Sequence, residues 1–204
     1  CSLTKFTDSL IAACAGTPSP ESVRPPSHEY RIARGTLPMA DGTTLAVTWW
    51  IPMPLVTGER FPALLEMLPY RKDDSFYARD FPLYDWFARR GFLMVKVDVR
   101  GTGGSSGAVP EREYSERELD DAVQVIAALA ADPRTNGRVG MWGISYLGFY
   151  ATMGAIDAHP ALVAVSPQAP VADWFIGVNF RHNGAFFLAH AFRWVTYHGR
   201  ARPE

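Results

Sequence analysis

The segment Arg138-Val139-Gly140-Met141-Trp142-Gly143-Ile144-Ser145-Tyr146-Leu147-Gly148-Phe149-Tyr150-Ala151 decides how the rest of the chain is read. Its apolar run from Val139 to Trp142 predicts a short buried strand, and the proline-free stretch from Tyr146 to Ala158 predicts a helix. Ser145 falls on the sharp turn between them. A serine hydroxyl becomes a useful nucleophile when it is held clear of the backbone, given a base and set beside donors for an oxyanion, and a strand-to-helix elbow does the holding. Gly143 leaves room for close backbone approach, and small residues past the serine let the helix pack against neighbouring strands. The segment departs from G-x-S-x-G in one respect, because the second glycine, Gly148, comes one place late. A Gly/Ser turn between a core strand and a core helix has the same local spelling. The order strand, serine, helix is what favours a nucleophile.

Composition bounds the rest. With 204 residues, 48% hydrophobic and 20% charged, the chain can bury one sizeable core and is not disordered. A net charge of −1 gives no electrostatic case for nucleic acid or an anionic membrane surface. The six Trp and 13% aromatic content suit a lined pocket as well as a core, so small apolar molecules are the expected partners. No apolar run approaches the roughly 20 residues that span a bilayer. Cys1 and Cys14 have no CxxC spacing, so no zinc site is expected, and neither a metal nor a cofactor is called for. A chain that begins with Cys, not Met, has two readings. One is a bacterial lipoprotein trimmed before a lipid-modified Cys1, which points to the cell envelope, periplasm or secretion; the other is an arbitrary boundary, compatible with the cytoplasm.

Residues 1–27 carry one short apolar patch and then Gly-Thr-Pro-Ser-Pro and Arg-Pro-Pro-Ser, a proline density that predicts an extended arm. From Glu29 the pattern alternates, Asp41-Gly42 signals a turn, and Thr44 to Ile51 is rich in β-branched and aromatic residues, which together predict an antiparallel hairpin. Phe61 to Leu68 suits a buried strand ending at Pro69-Tyr70-Arg71-Lys72. Phe81 to Arg90 has helical spacing closed by Gly91, and Phe92 to Val97 is a further strand.

That strand leads into Gly101-Thr102-Gly103-Gly104-Ser105-Ser106-Gly107. The loop lacks Gly-Lys-Ser/Thr, does not fit G-x-G-x-x-G, and runs into Ala108-Val109-Pro110 where a helix should open, so a tight loop beside the active site is favoured over a nucleotide site. Ser115-x-x-Glu118 is a capping box, and Leu119, Ala122, Val123, Ile126, Leu129 and Ala130 form one apolar face, predicting a helix over about 116–131 ended by Pro133 and Asn136-Gly137. Another strand is expected at Leu162 to Val165. Strands alternating with helices after a hairpin imply a mostly parallel sheet with helices on both faces. From Asp173 aromatic residues crowd together, and Ala185 to His198 predicts a helix, read either as core or as the start of a helical cap over the serine.

These residues resemble the cocaine-esterase-like and X-Pro dipeptidyl-peptidase group of α/β-hydrolases, which includes the α-amino acid ester hydrolases. The likeness runs from about Tyr30 to Trp194 and rests on Pro69-Tyr70-Arg71-Lys72, Asp98 to Ser105, Asn136 to Met141, Gly143-Ile144-Ser145-Tyr146-Leu147-Gly148 and Asn183-Gly184-Ala185-Phe186, in that order. The late glycine belongs to the pattern of that group. The resemblance implies an α/β-hydrolase fold divided into an arm (1–27), the N-terminal part of the hydrolase domain (28–172) and the start of a cap (173–204). It implies an ester or amide hydrolase in which Ser145 forms an acyl-enzyme, with the backbone N–H of Tyr146 and the phenol of Tyr70 as oxyanion donors. An aromatic plug at a strand end is the plainer reading of Tyr70. Trp174, Phe175, Asn179 and Phe186 are the candidate substrate-binding residues.

In α/β-hydrolases the acid and base follow the serine on loops after later strands. Asp157 and His159 lie at the end of the serine's own helix, Asp173 opens the aromatic stretch, and His182, His190 and His198 fall in the expected cap, so no acid or base is assigned and both are expected beyond residue 204. The amino-acid ester hydrolases carry an acidic pair where this chain has Val178-Asn179, which favours a neutral acyl group. A hydrolase acting on a small ester, amide or short peptide is expected, with homo-oligomer formation and a lipid anchor at Cys1 left open. The alternative is a catalytically incomplete piece that keeps the pocket walls and acts at most as a binding module.

Overall fold

The computed structural model describes residues 25–74, 77–111, 114–157, 159–170, 180–181, 185–186, 188–189, 191–192 and 196. Strands β1 (Tyr30–Pro38) and β2 (Thr44–Pro52) form the expected antiparallel hairpin, with Tyr30 opposite Pro52 and Pro38 opposite Thr44. Its turn is closed by Met39 N–H to the Thr43 carbonyl at 2.7 Å and by Gly42 at φ 85°, a conformation that favours glycine. Strands β3 (Phe61–Leu68), β4 (Leu93–Asp98), β5 (Thr135–Ile144) and β6 (Leu162–Gln168) complete a six-stranded sheet in the order β1-β2-β4-β3-β5-β6. The four strands from β4 to β6 run parallel, and β2 joins β4 antiparallel.

Helices α1 (Tyr77–Ala88), α2 (Glu116–Ala131) and α3 (Tyr146–Asp157) cover the two faces. Val125, Ile126 and Leu129 of α2 and Leu147, Tyr150 and Ala151 of α3 pack with Leu65, Val95 and Met141 on one face. Tyr84 and Ala88 of α1 pack with Trp50, Met94 and Trp142 on the other. Strands β3 and β4 are therefore covered on both faces, as parallel strands joined through helices require, whereas β6 at the end of the sheet is largely exposed among the described residues.

Helix α1 begins at Tyr77, earlier than the expected Phe81, and carries Pro82 inside it. The tertiary environment outweighs the proline. Asp80 ion-pairs with Lys96 at 2.5 Å, Tyr84 donates to Glu66, and all four side chains are buried. The helix ends in a Schellman motif: Phe92 N–H bonds to the Phe87 carbonyl, Gly91 N–H to that of Ala88, Gly91 has φ 78°, and the rings of Phe87 and Phe92 meet edge to face.

Helix α2 keeps its capping box, but its buried stripe is rotated from the purely apolar one. Glu118, Asp121, Ala122, Val125, Ile126 and Leu129 are buried, while Val123 is half-buried. Asn136-Gly137 also lies inside β5, not ahead of it: Gly137 takes φ 81° where the β3–β5 register shifts between Phe61 and Ala63. Strand β6 runs three residues past Val165.

Ala185–Phe186 pairs antiparallel with Phe180–Arg181 as a two-residue ladder, β8 against β7. The helix expected from Ala185 is thus corrected at its first two residues. The sequence between the two pairs contains Asn-Gly, a dipeptide with a strong hairpin preference that helical spacing alone overlooks; residues 182–184 themselves lie outside the described residues. Helical residues follow at 188–189, 191–192 and 196. Residues 1–24 of the arm, with Cys1 and Cys14, lie outside the described residues, and at the end of the arm Ser27 N–H donates to the Arg89 carbonyl at 2.8 Å. Among the described residues no helix is long and apolar enough to cross a membrane.

Candidate active site

Ser145 occupies the joint between β5 and α3 at φ 60°. A non-glycine residue in that left-handed region costs of order 1–3 kcal/mol and persists only where its surroundings determine it. Here they do. The Ser145 amide donates to the Gln168 carbonyl at 2.9 Å, its own carbonyl accepts from Phe149 N–H at 3.0 Å, and the residue is half-buried.

The two glycines flank contacts that admit no side chain. A Cβ on Gly143 would lie 2.2 Å from the Cβ of Leu147, and one on Gly148 would lie 2.7 Å from the Gln168 carbonyl oxygen and 3.1 Å from that of Gly143. The late position of the second glycine has this physical cause. It is Gly148, three residues after the serine, that meets the end of β6, while Leu147 is buried in the core.

Because the Ser145 amide is committed to Gln168, the next amide, that of Tyr146, is the one set at the first residue of α3. There the helix dipole favours negative charge. The Tyr146 side chain turns the other way. It is buried, and its hydroxyl donates to Glu118 Oε1 at 3.2 Å and accepts from Tyr114 N–H at 3.1 Å. Tyr150, one turn on, donates to the same oxygen at 2.8 Å. Burial, then the neighbouring Tyr146 and Glu118, raise the Tyr150 phenol well above its ordinary pKa, so it remains a donor. Tyr114, at φ 59°, stacks on Tyr146 with centroids 3.8 Å apart.

Tyr70 follows the end of β3 and packs within the core, its ring edge-on to that of Tyr146 with centroids 6.3 Å apart. The turn after it is held by Asp98, at the end of β4. That carboxylate accepts from Lys72 N–H at 2.7 Å and Gly104 N–H at 3.1 Å, and Arg71 takes φ 61°. Burial raises the Asp98 pKa, and the Lys72 and Gly104 amides offset part of that rise.

The glycine-rich loop therefore wraps the protein's own carboxylate. A Cβ on Gly103 would meet Asp98 Oδ2 at 2.2 Å, and the amides of Gly101, Thr102, Ser105 and Ser106 all donate to backbone carbonyls. Arg100, next to this loop, is clamped by Asp121 through Nε at 2.6 Å and Nη2 at 2.5 Å, and by Asp41 at 2.9 Å.

Ser145, Tyr146 and Tyr70 are thus brought to one end of the parallel strands. Phe186 is exposed on β8, while Trp174, Phe175 and Asn179 lie outside the described residues, as do Asp173, His182, His190 and His198. His159 sits past the far end of α3, where its Nδ1 accepts from Ala161 N–H at 3.2 Å. Glu118 and Asp98 are the site-supporting residues that sequence reading missed. The capping box located Glu118 but not its second set of partners, which lie 28 and 32 residues away.

A mostly parallel sheet in this strand order, with a serine held in a left-handed turn between its fifth strand and the next helix, defines an α/β-hydrolase fold. The model of the X-Pro dipeptidyl-peptidase (S15) family matches residues 41–202, and the chain belongs to that family. It is 30% identical to the cocaine esterase of a Rhodococcus strain over 186 residues, 86% of this chain and 31% of that protein. An aminopeptidase from a marine-sediment Thaumarchaeota archaeon superposes with a TM-score of 0.71 at 26% identity, over 91% of this chain and 33% of the other. A CocE/NonD family hydrolase from Staphylococcus aureus superposes with a TM-score of 0.72 at 21% identity, over 89% and 37%, a likeness of fold. The chain spans about a third of the length of these relatives.

Proposed function

We propose that this chain carries the nucleophile side of a serine hydrolase that cleaves esters or amides through an acyl-enzyme on Ser145. The observation that supports it best is the left-handed Ser145 between β5 and α3, fixed by Gln168 and flanked by two glycines without room for a Cβ. In this reading Ser145 Oγ attacks the carbonyl carbon, and the oxyanion is received by the Tyr146 backbone N–H and the Tyr70 hydroxyl. A histidine and its orienting carboxylate come from later sequence. Trp174, Phe175, Asn179 and Phe186 contribute to the substrate pocket.

A neutral acyl ester is the favoured substrate, because Val178 and Asn179 offer no carboxylate for an ammonium group. The family name supports a second reading, cleavage of a short peptide after proline. Parallel assays of the full-length protein on neutral p-nitrophenyl esters, α-amino acid esters and X-Pro p-nitroanilides separate these, with Ser145→Ala as the blank. The favoured reading expects the neutral esters to have the highest kcat/KM. A preference of tenfold or more for an X-Pro amide selects the peptidase, and no Ser145-dependent turnover on any of them overturns the proposal.

A further inference from the structure

We propose that Glu118 is a positioning residue for the oxyanion hole, acting through the Tyr146 hydroxyl to fix the first turn of α3; this rests on the serine-hydrolase reading above. The carboxylate is buried and saturated with neutral donors. Oε2 accepts from the Ser115 amide at 2.7 Å and the Ser115 hydroxyl at 3.0 Å, while Oε1 accepts from Tyr146 at 3.2 Å and Tyr150 at 2.8 Å. One side chain thus ties the N-terminus of α2 to the N-terminus of α3. Those termini are the capped start of one helix and the turn that carries the nucleophile.

Two features distinguish this from an ordinary helix cap. A capping-box glutamate at N3 needs only to reach back to its own N-cap residue, and Oε2 does that alone. Oε1 is directed instead at the residue whose backbone N–H is the proposed oxyanion donor. Two phenols on successive turns of α3 bonded to one buried oxygen leave that helix little freedom to rotate about its axis. An oxyanion donor is effective only when it already points at the position the oxygen will occupy. The Tyr146 phenol is further held by the Tyr114 amide and the stacked Tyr114 ring, so the residue is gripped on its side chain while its amide remains at the helix end.

The test compares Tyr146→Phe, Glu118→Gln and Leu129→Ala in the full-length protein. Each is assayed on an activated ester, with competent sites counted by fluorophosphonate titration. Tyr146→Phe keeps the ring, the backbone amide and the capping box, and removes the tie to Glu118 together with the acceptor of the Tyr114 N–H, whereas Glu118→Gln leaves that acceptor in place. Glu118→Gln places an NH₂ group against either the Ser115 donors or the phenols. Leu129→Ala truncates a buried α2 residue and calibrates simple destabilisation.

The proposal expects kcat per titrated site to fall about 10–100-fold in Tyr146→Phe with KM within about threefold of wild type. Glu118→Gln should match it, and the double variant should lose no more than the worse single. Leu129→Ala should unfold more easily with kcat per site retained. A loss below about fivefold in Tyr146→Phe overturns the proposal, and that variant decides the matter if Glu118→Gln does not fold. A wild-type protein whose Ser145 neither labels nor turns over overturns the serine-hydrolase reading itself, and the positioning role with it.

Discussion

The amide of Ser145 donates to the carbonyl oxygen of Gln168, so the turn that carries the serine is fastened to the last residue of the edge strand β6. The same carbonyl lies 2.7 Å from where a Cβ on Gly148 would be, which makes one oxygen both the anchor of the elbow and the limit on its neighbour. Gly148→Ala should therefore move backbone, not a flexible side chain. Overpacking of this kind typically costs about 1–3 kcal/mol. The expected outcome is a lower urea midpoint together with at least a tenfold loss of kcat; a variant with wild-type values for both would contradict the packing argument.

Tyr70→Phe deletes a hydroxyl and keeps a ring that packs in the core against Tyr146. The fold should be retained, as read by the thermal midpoint. If the phenol receives the oxyanion, kcat falls by about 10²–10³ with little change in KM. A loss smaller than about threefold would return Tyr70 to the role of an aromatic plug.

Glu66 provides a pH test. Burial raises its pKa from 4.5 to about 7, with Lys96 and the Tyr84 hydrogen bond opposing the rise. Between pH 4.5 and 7 the folded protein therefore holds a proton that the unfolded chain has released. The contribution of Glu66 to stability declines as pH rises through that window, by at most about 1.4 kcal/mol per pH unit. Denaturant unfolding of wild type and Glu66→Gln at pH 5 and pH 7.5 measures it. The wild-type advantage over the variant should shrink at the higher pH, and a difference that stays constant or grows would contradict the assignment.

Arg100 and Asp121 form a buried bidentate pair, with Asp41 as a second, more exposed partner for the guanidinium. Removing one partner of a buried pair leaves a charge uncompensated, so Asp121→Ala should lose about 3 kcal/mol of stability in chemical denaturation. A loss under 1 kcal/mol would mean that Asp41 suffices to hold Arg100.

The parts legible in the sequence are those set by local rules. The hairpin could be read at Asp41-Gly42, α2 at Ser115 and Glu118, and the elbow at Gly143 and Ser145, because turn chemistry, capping and glycine spacing each act within a few residues. What was missed depends on partners far along the chain. Nothing near Pro82 reveals that Lys96 and Glu66 hold the start of α1, and nothing near Glu118 reveals Tyr146 and Tyr150. The rotated stripe of α2 has the same cause, since Asp121 is buried only because Arg100 meets it. In the C-terminal stretch, helical spacing predicts a helix from Ala185, whereas Ala185–Phe186 pairs with Phe180–Arg181 in a short antiparallel ladder.

The central claim is that Ser145 is the nucleophile. It is tested most directly by treating the full-length protein with a fluorophosphonate probe and mapping the adduct by peptide mass spectrometry, beside Ser145→Ala. The account predicts one adduct, on Ser145, loss of activated-ester hydrolysis in step with labelling, and a folded Ser145→Ala variant that neither labels nor turns over. An adduct on another residue, or a folded Ser145→Ala variant with normal turnover, would contradict it.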